Sequence, residues 1–208
     1  QVWMNLTLSA VHSTTGGGDY AIGVVEDISD RKYGEALLQD SEERFRAIFE
    51  QAAVGMDICM LDGRFFRVNE KFCDIVGFSR HELLERTDLD LTYPDDRATN
   101  REKLEQLVAG IIPHYSIEKR YTCKDGSIVW VSSMISIMRN ADREPKYFIG
   151  VVEDISVRKQ VEVDLRASEE QFRAMFENHQ SMMLLIDPES GEIIDANHAA
   201  EQFYNLTP

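Results

Sequence analysis

The chain has 208 residues, of which 43% are hydrophobic and 28% charged, and its formal net charge is -15. So acidic a chain lacks the clustered Lys and Arg that nucleic acid or an anionic membrane requires, which argues against both partners. No apolar run approaches the roughly 20 residues that cross a bilayer, and the three cysteines have no CxxC or zinc-ligand spacing. We therefore expect a cytoplasmic segment with reduced thiols, no metal site and no membrane span of its own, in a protein that could be anchored elsewhere.

One stretch of the sequence occurs twice, at an offset of 127 residues. Tyr20 to Glu50 aligns with Tyr147 to Glu177 without a gap, and 21 of 31 positions are identical. A repeat of this length is domain-sized, so the chain is a tandem array of one module. We expect the last strands of a first module in residues 1–29, a linker helix in 30–44 and a complete module in 45–156. A second linker helix is expected in 157–171 and the start of a third module in 172–208.

The complete module begins with a predicted β-hairpin and continues with short helices. The apolar runs 55–61 and 65–68 are separated by an Asp-Gly turn signal. A short helix is predicted over 69–76, ending at a glycine, and a second begins at Ser79, which forms a capping-box pattern with Glu82. A longer helix is predicted between Asp95 and Gly110.

From His114 the apolar period becomes that of strands. Three long strands are predicted, over 114–123, 127–138 and 146–154, separated by turn or loop residues. Two strands, a helical middle and three strands give a five-stranded antiparallel sheet with helices against one face, which is an α+β fold. One face of such a sheet can enclose a small cavity.

Each linker carries a heptad-like apolar seam that could pair two chains as a homodimer. In the second linker the seam is Val161, Leu165, Phe172 and Met175, and in the first it is Gly34, Leu38, Phe45 and Ile48. Ser168 with Gln171 is also a capping-box pattern, so either one long helix or two abutting helices are compatible with this segment.

The motifs of the complete module have a characteristic order: Asn69, Gly77-Phe78-Ser79, Lys124 to Ser127 followed by Trp130, and Gly150 to Ser156 followed by Arg158-Lys159. In this order they resemble the PAS domain family with its C-terminal PAC motif. The resemblance implies a PAS fold and a sensory module that reports a small ligand or a redox state to an output domain of the same protein. It favours a sensor histidine kinase as the parent. A diguanylate cyclase or phosphodiesterase, and a ligand-free dimerisation scaffold, are the alternatives.

The resemblance also implies a coupling element between the last strand and the exit helix. In the family this element is Asp-Ile-Ser/Thr, and here it occurs at 154–156 and at 27–29. Asp154 or Ser156 is expected to cap the helix, because either side chain can accept a hydrogen bond from an orphaned N–H group. We interpret Trp130 as packing on the sheet. The coupling candidates are Asp27, Ser29, Trp130, Asp154, Ile155, Ser156 and Arg158.

No cofactor is identified by the sequence. The helix between Asp95 and Gly110 lacks the His that haem-binding PAS domains carry there, which argues against haem. Residues 87–90 replace the Asn-Cys-Arg-Phe pattern of flavin photosensors, which argues against a covalent flavin adduct. A small organic ligand or none is compatible with the apolar residues that could line a cavity or simply form the core: Phe65, Phe72, Ile75, Phe78, Leu91, Leu107, Ile111, Tyr115, Ile117, Val131, Ile135 and Ile137.

No set of residues is arranged for catalysis in the sequence. We therefore expect no catalytic residues in this segment, and any enzymatic activity would belong to the output domain.

Overall fold

The computed structural model describes residues 2–11 and 20–204. In chain order the elements are β1 (Met4–Val11), β2 (Tyr20–Asp27), α1 (Ser29–Glu50), β3 (Gly55–Cys59), β4 (Phe65–Val68), α2 (Glu70–Val76), α3 (Arg80–Leu84), α4 (Asp88–Leu91), a 3₁₀ turn (Pro94–Asp96), α5 (Arg97–Val108), β5 (His114–Thr122), β6 (Ile128–Arg139), β7 (Pro145–Asp154), α6 (Ser156–Asn178), β8 (Leu184–Ile186), β9 (Ile193–Ala196) and α7 (His198–Tyr204). We call residues 55–154 the central module.

The central module contains the predicted five-stranded antiparallel sheet, with strand order β4-β3-β7-β6-β5. The first strand, β3, therefore lies between its hairpin partner β4 and the last strand, β7. Because β7 continues into α6, the middle of the sheet is connected directly to the exit helix. The predicted α+β fold with a five-stranded antiparallel sheet is confirmed.

Side-chain caps explain why the short helices begin where they do. Asn69 accepts a hydrogen bond from the Phe72 amide at the start of α2, which ends at Gly77 in the left-handed conformation with φ 73°. The predicted capping box between Ser79 and Glu82 is present at α3. A second capping box, between Thr87 and Asp90, begins α4 and was not predicted.

The core lies between the sheet and the short helices. Its fully buried side chains come from every helix of this layer and from strands at both edges of the sheet. Burial of each large apolar side chain stabilises the fold by about 1.5–3 kcal/mol. The core includes Phe65, Val68, Phe72, Val76, Leu83, Leu91, Leu107, Tyr121, Val131 and Val152.

Each linker is one continuous helix, so the alternative of two abutting helices is wrong. Ser168 lies in the middle of α6, where the helix is uninterrupted. Phe49 near the end of α1 and Phe176 near the end of α6 are both buried, whereas the seam residues are exposed. The seam residue Leu165, for example, is 60% exposed.

The two partial copies form separate two-stranded sheets. β1 pairs with β2, and β8 pairs with β9, both antiparallel. Apolar residues of the second sheet are exposed, among them Leu184, Ile186 and Ile194. In the part of the chain that the structure describes, none of the helices is both long enough and apolar enough to cross a membrane.

Candidate functional site

A small cavity lies between the sheet and α5 in the central module. Its volume is about 30 Å³, close to the space of one water molecule. It shares Gly63, Asp88, Leu104 and Phe148 with a half-open cleft of about 410 Å³ along α5. The surface of the small cavity is mainly apolar but includes several polar side chains; it is lined by Asp57, Cys59, Gly63, Asp88, Leu104, Tyr115, Ser133, Ile135 and Phe148.

Asp57 is the acidic group of this cavity that lacks a basic partner. It lies in the middle of β3 and is only 7% exposed. Among the described residues, the one hydrogen bond to its carboxyl group comes from the Cys59 thiol, with Sγ 3.2 Å from Oδ1. Burial, followed by the nearby Asp88 charge, raises the pKa of Asp57 to about 6.

The Cys59 thiol is a donor in this arrangement. Burial and the negative charge of Asp57 raise the pKa of this thiol well above its usual value. A protonated thiol is neither a good nucleophile nor a metal ligand. Within residues 2–11 and 20–204, no three His, Cys, Asp or Glu side chains are grouped as metal ligands.

Asp88 differs from Asp57 because its charge is compensated. Its carboxylate accepts hydrogen bonds from Lys119 Nζ at 2.9 and 3.0 Å, from the Tyr121 hydroxyl at 2.6 Å and from Asn100 Nδ2 at 2.9 Å. Burial acts to raise the pKa of Asp88, but the Lys119 charge and these hydrogen bonds outweigh it and lower the pKa below its usual value. This network joins α4, α5 and β5.

Asn100 extends the network to the cavity wall. It is buried, and its Oδ1 accepts a hydrogen bond from the Tyr115 hydroxyl at 3.1 Å. Asn100 lies on the helix where a haem-binding PAS domain would place its His, and here both ends of its amide are engaged in protein hydrogen bonds. Thr87 to Asp90, which replace the flavin-adduct pattern, form the start of α4.

Only two of the predicted pocket residues, Tyr115 and Ile135, line the small cavity. Most of the others form the packed core, which was the alternative to a cavity lining. Phe65, Phe72, Leu91, Leu107 and Val131 are buried, and Ile75, Phe78, Ile117 and Ile137 are partly buried against them. Ile111 was assigned wrongly, since it is 72% exposed. Helix α5 ends at Val108, so Ile111 lies in the turn that follows, in which Gly110 has φ 75°.

Sequence reasoning missed the polar residues of the cavity. Gly55, Asp57 and Cys59 lie on the same, inner face of β3, because side chains two residues apart on a strand point to one side. Strand periodicity therefore predicts the position of both polar residues. Their polar side chains do not belong to the apolar pattern from which a pocket wall is predicted. Asp88 could not have been found in this way, because its partners are distant in sequence.

The sequence also did not predict that the Asn69 side chain connects α1 to the sheet. Its side chain accepts the amide of Met56 at 2.8 Å and donates to the carbonyls of Phe49 at 2.9 Å and Val54 at 3.0 Å. Together with the cap of α2, these bonds fasten the end of α1 to the sheet. In the third copy Asn197 accepts the Met183 amide and donates to the carbonyls of Ser181 and of His179, which directly follows α6.

The predicted coupling residues form a compact junction at the start of α6. Ile155 occupies the N-cap position of α6, so the expectation that Asp154 or Ser156 is the N-cap is wrong; Asp154 Oδ1 instead accepts the amide of Ser156, the first residue of the helix, at 2.8 Å. Ser156 does not cap the helix, because its hydroxyl accepts the Trp130 amide of β6 at 3.2 Å. Ile155 between them is buried and donates to the Trp130 carbonyl at 2.9 Å.

The same junction is built in the first copy. Asp27 accepts the Ser29 amide at 2.9 Å, and Ser29 Oγ accepts the Trp3 amide at 2.9 Å. Ile28 donates to the Trp3 carbonyl at 2.9 Å. The repeated sequence therefore specifies a repeated connection between a sheet and the helix that leaves it.

Charged side chains strengthen the junction of α6. The carboxylate of Glu118 on β5 forms ion pairs with Arg158 and Lys159, and the N–O distance is 2.6 Å in both. Trp130 is half-buried, with the cations of Arg120 and Lys159 each 5.4 Å from its ring. Trp130 is thus on the outer face of the sheet, as predicted, and does not line the cavity.

Comparisons with known proteins agree with this geometry. Residues 65–152 match the family model described as "PAS fold", and residues 170–207 match the one described as "PAS domain". Together the two matches cover more than half of the chain.

Several curated proteins are similar to the chain. They include the probable diguanylate cyclase DgcE of Escherichia coli (36% identity), the sensor histidine kinase TmoS of Ectopseudomonas mendocina (30%) and sporulation kinase E of Bacillus subtilis (29%). The alignments cover 60%, 62% and 90% of the chain but only 11%, 13% and 24% of these relatives. The chain thus spans a minor part of the proteins it matches.

Solved structures show the same fold. The PAS domain of an HTR-like protein from Haloarcula marismortui has a TM-score of 0.51 and 23% identity, covering 60% of this chain and 99% of that one. A sensory box histidine kinase/response regulator from Burkholderia thailandensis has a TM-score of 0.50 and 26% identity, covering 63% and 98%.

Proposed function

The chain belongs to the PAS domain family, and from this premise we propose that its central module is the sensory unit of a larger signalling protein. In this proposal a small ligand, or another change of state in the cavity, alters the sheet, and α6 carries the change to an output domain of the same protein. The junction at Asp154 couples the two. We propose residues 45–156 as the sensory domain, flanked by linkers 30–44 and 157–171 between the partial modules 1–29 and 172–208.

One observation carries the proposal: the strands that line the cavity are the strands that hold the exit helix. β6 contributes Ser133 and Ile135 to the cavity and Trp130 to the junction. β7 lies against β3, which carries Asp57, and continues into Asp154. A displacement of either strand at the cavity would therefore be transmitted to α6 through covalent structure and short hydrogen bonds.

The output domain is proposed from the relatives. Two of the relatives described above are named as kinases, which favours a histidine kinase as the parent. The relative with 36% identity is named as a probable diguanylate cyclase, which supports that output as the second candidate. We propose a cytoplasmic location for the segment and a homodimer formed by the exposed seams of α1 and α6.

The test is made in the full-length parent protein. Asp154→Ala removes the carboxylate at the junction without touching the core, because Asp154 is exposed. We expect the variant to lose signal-dependent output while its thermal stability stays nearly that of the wild type. Autophosphorylation and cyclic dinucleotide synthesis are both assayed, because each belongs to one of the two candidate output domains. Asp142→Ala, in the exposed loop between β6 and β7, is the matched control. Unaltered regulation in the Asp154 variant would refute the coupling role.

The ligand-free scaffold remains the competing proposal, and the same experiment separates it from the sensor. A scaffold requires only that the helices pair, so Asp154→Ala would leave its output regulated as before. Recording the absorbance spectrum and the native mass of the purified chain adds a second reading, because a copurified small molecule supports the sensor.

A further inference from the structure

The most informative feature not yet explained is the carboxyl group of Asp57. It lines a cavity, it is more than nine-tenths buried, and its one hydrogen bond from the described residues comes from a weak thiol donor. Burial of an ionised carboxylate without a cationic partner disfavours folding. Lys119, the buried cation nearby, donates both of its carboxylate hydrogen bonds to Asp88.

The β3–β4 hairpin itself does not require an acid at this position. In the third copy the strand β8 pairs with β9 as β3 pairs with β4, and Leu184 opposite Ala196 corresponds to Asp57 opposite Val68. The same asparagine fastening is present in both copies. The third copy thus builds the same hairpin with leucine in place of the acid.

The space around Asp57 combines an acidic inner end with an apolar approach. Leu104 and Phe148 line both the small cavity and the cleft, and Leu61, Leu89 and Val108 continue the apolar wall outward. Ser133, which is 2% exposed, is one of the neutral polar residues of the cavity, together with Cys59 and Tyr115. At the rim, Asp62 and Glu105 outnumber Arg101. An anionic ligand would be repelled along this path, and a cationic one attracted.

We propose that the central module binds a small organic ammonium ion, with its charged nitrogen against the Asp57 carboxylate. This inference rests on the proposed sensory function and specifies its ligand class. The ammonium group occupies the small cavity and donates hydrogen bonds to Asp57 and Ser133. A short apolar substituent lies in the cleft against Leu104 and Phe148. The ligand supplies the positive charge that Asp57 lacks in the protein.

Binding should depend on pH, because an acidic solution neutralises Asp57. The ionisable groups facing Asp57 are Cys59 from its own strand, Asp88 from α4, and Tyr115, Lys119 and Tyr121 from β5. Among these, Asp57 is the group whose pKa lies near 6. Ammonium binding is therefore expected to weaken as the pH falls through that value.

The experiment is an NMR titration of the isotope-labelled 208-residue chain in phosphate buffer, which contains no amine. The probes are n-butylammonium, n-butanol and butyrate, which have similar apolar parts and carry a positive charge, no charge and a negative charge. We expect saturable shifts at the amides of Asp57, Ser133 and Gly150 with n-butylammonium and much weaker effects with the other two. Asp57→Asn should weaken n-butylammonium binding by at least about tenfold.

Two further variants make the result decisive. Asp57→Leu introduces the residue of the third copy and should also abolish binding while the spectrum stays dispersed. Asp142→Asn, in an exposed loop, should bind as the wild type does. Equal binding to wild type and Asp57→Asn overturns the inference, and so does the absence of saturable binding. Equal or tighter binding of butanol or butyrate overturns the ammonium class and leaves the proposed sensory function intact, which is tested separately through Asp154.

Discussion

Gly150 lies directly opposite Asp57 in the pairing of β7 with β3, and a Cβ atom on Gly150 would stand 2.8 Å from the carboxyl carbon of Asp57. The absence of a side chain at Gly150 is therefore what gives the buried carboxyl group its space. The register of β3 and β7 thus places the Asp57 carboxyl group next to the space that a side chain at position 150 would fill.

The first prediction concerns this pair of residues. Gly150→Ala should lower the free energy of unfolding by about 1–3 kcal/mol, because the new methyl group overlaps the Asp57 side chain. Combining it with Asp57→Ala should recover most of the loss, which urea denaturation of both single variants and the double variant would measure. Gly34→Ala is the control, since its Cβ meets no atom within 4 Å and should not destabilise the chain. Strict additivity of the two changes would argue against the clash.

The second prediction is that Asp57→Asn stabilises the protein at neutral pH. The pKa of Asp57 is raised from 3.8 to about 6, so between these values the folded state binds more protons than the unfolded state. The carboxyl group therefore lowers stability progressively as the pH rises through this window. We expect a gain of up to about 3 kcal/mol above pH 6 that shrinks towards pH 4. Urea titrations of wild type and variant across this range would reveal a pH-independent difference if the prediction is wrong.

The third prediction separates Asp88 from Asp57. Lys119→Met leaves the partly buried Asp88 carboxylate without its cation and should cost up to about 3–5 kcal/mol, the range for a fully buried pair. Adding Asp88→Asn to the same chain should restore part of this loss, because no uncompensated charge then remains. Chemical denaturation of the two single variants and the double variant provides the coupling energy. A double variant as unstable as the sum of the single ones would contradict the pairing.

The fourth prediction concerns Asn69. Asn69→Ala removes two hydrogen bonds to carbonyls and two from amides, and should cost about 2–4 kcal/mol. Hydrogen exchange should accelerate at the end of α1 and the start of α2. Asn197→Ala is the matched control in the third copy and should leave exchange in the central module unchanged. Slow exchange around Phe49 in the Asn69 variant would show that this fastening is dispensable.

The fifth prediction tests the homodimer. Val161, Leu165, Phe172 and Met175 are 49–60% exposed, which is the surface that a paired helix would cover. Leu165→Glu should therefore shift the native mass from dimer to monomer, because a charge in a helix seam opposes association. Val163→Glu adds the same charge to α6 outside the seam and should have no effect. A monomeric wild-type chain in analytical ultracentrifugation would disprove the seam as an interface.

The sequence by itself determined the repeated module, the order of helices and strands, and the junction between sheet and exit helix. These features are local: the capping box of Ser79, the alternation along β6 and the Asp-Ile-Ser element can each be read from a few adjacent residues. The repeat added a comparison within one chain, since the same hydrogen bonds form at Asp27 and at Asp154.

Only the tertiary structure decided which residues line the cavity and which simply pack. The apolar pattern marks a buried face but does not distinguish core from cavity, so Phe72 and Tyr115 were grouped together, although only Tyr115 reaches the cavity. The environment of Asp57 depends on Gly150, on Lys119 already paired with Asp88, and on the approach of α5. These contacts join residues far apart in sequence, and the charge and volume of the site depend on their three-dimensional arrangement.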